Sequence, residues 1–371
     1  VAAKVRLAMR LHHTFVTLSL LAITAFSACT VAPASNGERS ARALGETVAE
    51  VDPSYGGVFQ DKDHNLWFSG GSQGVYRTDG KPGGTITRFT SKDGLPSDQV
   101  GEIQQHAPTG DILLSTANGF CRFDGHAFTT LSAADPSKSE WRLQPDDLWF
   151  PAGQDTGAVY RYDGKVLHRL AFPKTKAGDA ATLPRDQYPN AKYSPYDVYI
   201  IFKDSRGHIW FGTAILGACR YDGTSFAWFA KPGLDLGSFG TRSIIEDKAG
   251  KFWFSSTLNR YAIDAIPASR DEHGDVAIKY HTEPGFGGDG DPFSVFMSAV
   301  KDKNGDIWMA TLGAEVFRFD GLKLTKIPVE FKERAMFGIH VYKDRQDNLW
   351  LGSQKDGVYK LNGERFERFR P

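Results

Sequence analysis

The sequence predicts an all-β fold, a single seven-bladed β-propeller of four-stranded antiparallel blades that follows a signal peptide. Two observations predict this fold. A unit of about 45 residues recurs along the chain, and most copies carry an Asp that is followed six residues later by a Trp. Six copies also carry an Asp-Gly or Asn-Gly pair between two strand-like runs, which is a strong signal for a tight hairpin turn.

Seven copies of the unit are identified, five of them clear and two eroded. In the eroded copies Leu113 stands in place of the Trp, and Trp149 follows a shortened turn. The clear copies contain the pairs Asp61/Trp67, Asp204/Trp210, Asp247/Trp253, Asp302/Trp308 and Asp344/Trp350. Each copy predicts one antiparallel sheet. Because a single sheet cannot bury both of its faces, we expect the seven sheets of residues 55–371 to stack face to face around a common axis. No strand exchange between the ends is predicted, and residues 44–54 are a candidate for an extra strand.

The amino-terminal segment has the pattern of a signal peptide. Basic residues precede an apolar run over residues 15–26, which is shorter than the roughly 20 residues that a membrane-spanning helix needs. Phe26-Ser27-Ala28-Cys29 resembles the lipobox of bacterial lipoproteins, so we expect cleavage of residues 1–28, lipidation of Cys29 and a linker over 29–54. This predicts an exported protein, lipid-anchored in the bacterial cell envelope on the periplasmic side of the outer membrane. Cleavage at Ala32-Pro33-Ala34 is the alternative, and it predicts a soluble periplasmic protein.

Charge and composition narrow the classes of function. The chain has 44 basic and 44 acidic residues without a basic cluster, so nucleic-acid partners are not expected. Three cysteines give no disulfide framework and ten histidines show no metal-ligand spacing, so neither a metal site nor a cofactor is predicted. Residues 70–74 fit G-x-S-x-G and residues 61–65 resemble half of a calcium loop, but both positions are turns of the repeat.

Two segments carry a resemblance to a known family. They are TSKDGLPSDQV (90–100) and DSRGHIWFGTAILGACRYDG (204–223). Both resemble the two-component regulator propeller repeat, whose pattern joins D-G-L-P-S, D-x-x-G-x-I-W-F-G-T and G-L-x-R-Y-D-G. The resemblance implies a periplasmic ligand-sensor module, which in that family belongs to membrane histidine kinases that often respond to polysaccharide breakdown products. This chain has repeats for one propeller and no kinase, so a standalone lipoprotein module is expected.

The segments that connect the blades differ most between the copies. Residues 171–196 and 282–293 are long and irregular, and connectors of this kind converge on the propeller axis. Aromatic residues beside Arg and Asp suit a small polar ligand, an oligosaccharide or a peptide. We therefore predict a ligand site formed by Trp141, Arg142, Tyr196, Asp197, Arg242, Phe293 and Phe337. Packing at the rim of the propeller is the alternative interpretation of these residues.

The leading hypothesis is a cell-envelope ligand-binding or protein-interaction propeller without a catalytic residue. The alternative is a propeller enzyme, a lyase or a glycoside-active protein, that uses acid and base residues on the connector face. Its first candidates are His281, Glu283, Asp289 and Asp291, which lie near one connector. A scaffold that binds an envelope protein partner is a third class, and the fold does not separate these classes.

Overall fold

The turn between the first and second strands of a blade is organised by one aspartate. In the repeat that contains Trp210, Asp204 Oδ1 accepts hydrogen bonds from the backbone N–H groups of Arg206 (3.0 Å) and His208 (2.8 Å). Its Oδ2 accepts the indole N–H of Trp210 at 2.9 Å. The carboxylate therefore fixes the turn and the orientation of the buried Trp ring together. The same indole bond is present in Asp61–Trp67 (2.8 Å), Asp247–Trp253 (3.0 Å), Asp302–Trp308 (3.0 Å) and Asp344–Trp350 (2.9 Å).

The structure is a computed structural model that describes 13 parts of the chain. These are residues 44–81, 83–153, 156–181, 194–229, 240–255, 257, 259–264, 270, 274–285, 295–311, 313–331, 339–353 and 355–370. Cys29, Phe293, Phe337, Asp289 and Asp291 lie outside the described residues, and their predicted roles stay predictions. No helix within the described residues is long and apolar enough to cross a membrane.

Seven antiparallel sheets follow one another in chain order. Blade 1 contains β1 (Glu46–Val48), β2 (Gly57–Gln60), β3 (Leu66–Ser69), β4 (Val75–Thr78) and β5 (Ile86–Phe89). Blade 2 contains β6 (Val100–Gln105), β7 (Ile112–Thr116), β8 (Gly119–Phe123) and β9 (Phe128–Leu131), and blade 3 contains β10 (Leu148–Pro151), β11 (Ala158–Tyr162) and β12 (Leu167–Ala171). Blade 4 contains β13 (Val198–Lys203), β14 (Ile209–Thr213), β15 (Ala218–Tyr221) and β16 (Phe226–Phe229).

The last three blades each have four strands. Blade 5 contains β17 (Ile244–Glu246), β18 (Phe252–Phe254), β19 (Arg260–Ile263) and β20 (Tyr280–Glu283). Blade 6 contains β21 (Phe296–Lys301), β22 (Ile307–Thr311), β23 (Val316–Phe319) and β24 (Leu324–Ile327). Blade 7 contains β25 (Ile339–Lys343), β26 (Leu349–Ser353), β27 (Gly357–Asn362) and β28 (Arg365–Arg368). A short helix, α1 (Lys176–Ala180), lies between blades 3 and 4, and short 3₁₀ turns occupy Ser91–Asp93 and Pro136–Lys138.

The predicted seven-bladed propeller is confirmed, with two departures from four strands per blade. The extra strand considered for residues 44–54 is present, since β1 pairs with the outer strand β5 of blade 1. Blade 3 has only three strands in the described residues, because no inner strand precedes its Trp strand, β10. In every other blade an inner strand comes directly before the turn that leads to the second strand, so blade 3 has a gap on its axial side.

The core lies between the blades, where aromatic rings of one sheet meet those of the next. Trp67 of blade 1 contacts Phe123 of blade 2, with ring centroids 5.5 Å apart. Trp210 of blade 4 likewise contacts Phe252 of blade 5, at 4.8 Å. Fully burying an aromatic side chain of this kind stabilises the fold by about 1.5–3 kcal/mol. Face-to-face stacking of the sheets therefore buries aromatic side chains that a single sheet would leave exposed.

The ring closes without strand exchange among the described residues. At the seam between blades 7 and 1, the backbone N–H of Arg345 donates to Gln60 Oε1 at 2.9 Å. The bond has equivalents at three other junctions, each joining the residue after a turn aspartate to an acceptor of the next blade. They are Lys62 N to Gln105 Oε1 (2.7 Å), Ser205 N to Glu246 Oε2 (2.7 Å) and Lys303 N to Asp347 Oδ2 (2.9 Å). The seam is thus one more copy of a contact that repeats around the propeller.

A matched pair of variants measures how much the Asp–Trp hydrogen bond contributes to the free energy of unfolding. Trp210→Phe removes a bonded indole N–H, whereas Trp149→Phe removes a buried indole N–H that has no partner among the described residues. Because a hydrogen bond to a charged group contributes about 1.5–3 kcal/mol, Trp210→Phe should lower the free energy of unfolding by about that much more than Trp149→Phe. Urea denaturation of both variants measures the difference. Equal losses in the two variants would show that the bond contributes nothing.

Candidate functional site

A cleft of about 820 Å³ opens on the connector face, where the outer strand of one blade runs to the next blade. Its walls come from blades 1, 2 and 3, and they include the loops that join the second and third strands. The cleft lies beside the missing inner strand of blade 3, where β10 takes the innermost position and contacts β6 and β13. The gap in blade 3 therefore makes room for the cleft.

The exposure of Tyr160 shows the effect of the missing strand. The same repeat position is buried in other blades, where Cys219, Phe317 and Tyr359 are at most 3% exposed. Tyr160 is instead half-buried, and it lines the cleft together with Phe120. The centroids of the two rings are 4.7 Å apart with planes tilted by 56°. A repeat position that is buried in the other blades therefore lines the cleft in blade 3.

The polar part of the cleft is made of uncharged groups. Gln99, Ser115 and Thr116 line it, along with glycines that expose their backbone. Gln99 O accepts the N–H of Ala117 at 3.0 Å, and the Thr116 hydroxyl donates to Gly119 O at 2.8 Å. These bonds hold the loop of blade 2 against the start of β6. The cleft can therefore offer hydroxyl, amide and aromatic contacts from a fixed frame.

Glu102 lies on β6, the inner strand of blade 2, directly after Gly101, which lines the cleft. A β-bulge between Val100 and Ile103 inserts an extra residue there, and bulges commonly re-aim side chains beside functional sites. The side chain of Glu102 is exposed, and its backbone N–H donates to Ser115 Oγ, a lining group, at 2.8 Å. Desolvation by the surrounding inner strands raises the pKa of Glu102 above its usual range, although a hydrogen bond from Gln104 opposes the shift.

Gln104 connects Glu102 with blade 3. Its side-chain amide donates to Glu102 Oε1 at 2.6 Å and to the backbone oxygen of Trp149 at 2.7 Å. Trp149 belongs to β10, which has no inner strand as its neighbour in the part of the chain that the structure describes. A side chain of blade 2 thus satisfies a backbone acceptor of the strand that borders the gap.

Three further titratable groups lie on or beside the inner strands of blades 4, 5 and 7. The guanidinium carbon of Arg242 lies 3.7 Å from the ring centroid of Tyr199, which occupies a second β-bulge between Val198 and Ile200. Desolvation lowers the pKa of Arg242 and raises that of Tyr199. His340, on the inner strand of blade 7, is exposed, and desolvation among the inner strands lowers its pKa.

Of the predicted ligand residues that are described, Arg242 is next to an inner strand. Tyr196 and Asp197 are instead buried at the junction of blades 3 and 4. The Tyr196 hydroxyl donates to Thr175 O at 3.1 Å. The Asp197 carboxylate accepts the backbone N–H groups of Thr156 (3.0 Å), Gly157 (3.1 Å) and Ser194 (2.9 Å). Their ligand-binding role stays a prediction, and their contacts tie a loop of blade 3 to the entrance of blade 4.

Trp141 and Arg142 lie outside any strand, so the inner strand expected to begin with them is absent from this described segment. The Trp141 ring stacks on Trp149 and meets Phe226 of the outer strand of blade 4 edge to face, at 5.8 and 4.7 Å. The Arg142 side chain is 64% exposed and pairs with Glu140 at 2.7 Å. The structure therefore does not bring these two residues together with Arg242.

The described candidates for an enzyme site lie on the outer strand of blade 5. His281 is exposed, 3.6 Å from Asp264, and Glu283 pairs with Lys251 at 2.5 Å and with Arg260 at 3.3 Å. The hydrogen bond from Lys251 lowers the pKa of Glu283. This surface ion-pair group lies at the strand farthest from the axis in its blade.

Sequence reasoning missed the cleft and Glu102. One signal was available, because the turn before Trp149 is shortened and no alternating apolar run precedes it. That pattern indicates a blade without its inner strand. The β-bulge that displays Glu102 has no comparable sequence signal, since Val100–Gln105 otherwise looks like an ordinary strand.

The fold and the cleft define a seven-bladed propeller with a polar, aromatic-walled cavity on its connector face. The family described as "Two component regulator propeller" matches residues 192–214, which include β13 and β14 of blade 4. The predicted resemblance is thereby confirmed, and the chain carries a repeat of the two component regulator propeller family. None of the curated proteins matches the chain.

Solved structures share the fold at low sequence identity. A streptogramin B lyase structure is 13% identical, covers 87% of this chain and 96% of its own, and gives a TM-score of 0.59. Virginiamycin B lyase from Staphylococcus aureus is 13% identical over 85% of this chain and 97% of its own, with a TM-score of 0.58. The extracellular domain of a putative one component system from B. thetaiotaomicron is 18% identical, with a TM-score of 0.56. The match covers 85% of this chain and 39% of that one, and these likenesses establish the fold alone.

Variants of Asp197 and Arg142 compare how much a buried carboxylate and an exposed ion pair contribute to the free energy of unfolding. Asp197→Ala leaves three backbone N–H groups without their acceptor, so it should lower the free energy of unfolding by about 2–4 kcal/mol. Arg142→Ala removes one exposed ion pair and should change it by less than about 1 kcal/mol. Denaturant unfolding measures both. A near-neutral Asp197→Ala variant would contradict the structural assignment of this carboxylate.

Proposed function

We propose that this protein is a cell-envelope ligand-binding propeller and that its ligand occupies the cleft between blades 1, 2 and 3. The observation that carries the proposal is the gap in blade 3, which opens a cavity of about 820 Å³ in an otherwise regular repeat. Binding cavities for small molecules are typically 300–1,000 Å³ and combine aromatic walls with a few placed polar groups. The ligand is a small polar molecule, an oligosaccharide or a peptide.

The chemistry of the walls supports reversible binding. Phe120 and Tyr160 provide ring surface, while Gln99, Ser115 and Thr116 provide hydrogen-bonding groups. Because hydrogen bonds among the loops already hold these groups, binding orders few side chains and costs little conformational entropy. The family repeat in blade 4 also supports a sensor-module role, with an envelope protein as the partner that reads the bound state.

Blocking the cleft tests this function. Ala152 lines the cleft and is half-buried, so Ala152→Trp should fill part of it, whereas Leu322→Trp adds the same ring at a hairpin tip where the side chain is 96% exposed. Titration calorimetry with a panel of neutral oligosaccharides and short peptides should show binding to the unmodified protein. We expect at least a tenfold loss of affinity in Ala152→Trp and no change in Leu322→Trp.

Two outcomes would contradict the cleft as the site. One is that binding survives unchanged in Ala152→Trp, and the other is that both variants lose it equally. Circular dichroism and thermal melting of each variant verify that the propeller remains folded. Turnover of a panel member during the titration would favour the enzyme class over the binding class.

The proposed location is the periplasmic side of the outer membrane, with the lipid on Cys29. The lipobox-like sequence supports it, and the B. thetaiotaomicron neighbour is an extracellular domain. Cys29→Ser expressed in a Gram-negative host should move the protein from the membrane fraction to the soluble periplasmic fraction. The unmodified chain, fractionated in parallel, is the control. A membrane-bound Cys29→Ser variant would rule out this anchor.

A further inference from the structure

One face of the propeller carries a repeated basic residue. Because adjacent strands are antiparallel, the turns between first and second strands lie on the same side as the hairpins between third and fourth strands, opposite the connectors. We call this side the turn face. In four blades the residue directly after the turn aspartate is basic and exposed. These residues, the basic arc, are Lys62 in blade 1, Lys248 in blade 5, Lys303 in blade 6 and Arg345 in blade 7.

Contacts between the turns connect the basic arc. The four blades are consecutive, because blade 7 joins blade 1 at the seam. The backbone N–H of Lys303 donates to Asp347 Oδ2 at 2.9 Å, in the same turn as Arg345. Arg345 Nη2 donates to Gln105 Oε1 at 3.2 Å, and that oxygen also accepts the backbone N–H of Lys62 at 2.7 Å. Residues that are far apart in the sequence therefore form one surface.

The exposed charge of this surface is mainly positive. Lys62, Lys303 and Arg345 form no ion pair within the part of the chain that the structure describes. Lys248 pairs with Asp306 at 3.4 Å. Among the carboxylates of the four turns, Asp63 is exposed and the others are buried or half-buried. The basic arc thus presents cations that the protein itself leaves largely unneutralised.

An apolar side chain projects from the same sector of the turn face. Leu322 lies at the tip of the hairpin between β23 and β24 and is 96% exposed, the highest value among the large apolar residues that the structure describes. Lys323 follows it and is exposed, and Lys248 Nζ donates to Asp320 O in the same hairpin. A single exposed Leu is common on protein surfaces, but this one lies among basic residues. That combination is typical of surfaces that bind at a lipid interface.

We infer that the turn face binds an anionic lipid surface, with Leu322 inserted among the lipids and the basic arc against their phosphate groups. Cations that are spread over four blades match a broad array of negative charges better than one small anion. An exposed Leu beside them favours a lipid surface over an acidic protein, which offers no apolar layer to enter. The cleft opens on the opposite, connector face, so it stays accessible to a ligand and this inference does not rest on the proposed function.

Co-sedimentation with lipid vesicles tests the inference. Every protein compared carries Cys29→Ser, so that no lipid on this residue contributes. We expect binding to phosphatidylglycerol vesicles that weakens as salt is added, and little binding to phosphatidylcholine vesicles. Lys303→Gln combined with Arg345→Gln should lower the affinity for phosphatidylglycerol about 25-fold, because each basic residue near an anionic membrane contributes about fivefold. Leu322→Ser should lower it about tenfold, since its apolar side chain no longer leaves water.

Lys174→Gln combined with Lys176→Gln is the matched control, because it removes two exposed lysines of the connector between blades 3 and 4 and should leave the affinity unchanged. Absence of vesicle binding, or equal binding to both lipids, would overturn the inference. Full affinity in the Lys303/Arg345 variant or in Leu322→Ser would also overturn it, as would an equal loss in the control. Thermal melting verifies that each variant is folded. None of these results bears on the cleft, which the Ala152→Trp experiment tests separately.

Discussion

The hydrogen bond between a turn aspartate and the indole of a Trp six residues later is the constraint on which the propeller depends. It joins the local turn to the contact between blades, because the same ring that Asp204 orients packs against Phe252 of the next blade. A carboxylate with backbone donors on one oxygen and the indole on the other is fully used, so its burial is tolerated. Five copies of this bond in the described residues place five turns and five rings in register, and bonds between blades then recur beside these turns.

Blade 3 illustrates the consequence of losing this constraint. The position six residues before Trp149 holds Leu143 instead of an aspartate, while Asp147 binds Arg161 at 3.0 Å in the same way that Asp306 binds Arg318 in blade 6. The Trp149 indole N–H is left without a partner among the described residues. Without the turn, the described part of blade 3 has no inner strand, and Tyr160 becomes accessible at a position that is buried elsewhere in the ring. A single eroded repeat therefore accounts for the shortened blade, the unpaired indole and the cleft together.

The repeats were predictable because their signals are local. An Asp–Trp spacing and an Asp-Gly turn each describe a few neighbouring residues, so seven copies and their hairpins can be read from the sequence. The cleft was less predictable because it depends on an inner strand that the described part of blade 3 lacks. Trp141 and Arg142 were expected at the start of an inner strand, and without that strand Trp141 packs against Phe226 at the outer side of blade 4. The contacts of Asp197 were not predictable either, because three backbone donors from two loops bind its carboxylate and no local pattern indicates them.

A gap at the axis of a propeller is tolerated only if the groups around it are satisfied in another way. Gln104 does this for the backbone oxygen of Trp149, and in doing so it also holds the carboxylate of Glu102. The other six blades keep four strands or more within the described residues, and the seam between blades 7 and 1 uses the same bond as other junctions, so the ring does not need the missing strand to close. The stability of the fold and the chemistry of the cleft thus reside in different residues. The regular blades hold the ring, while the irregular blade borders the cleft.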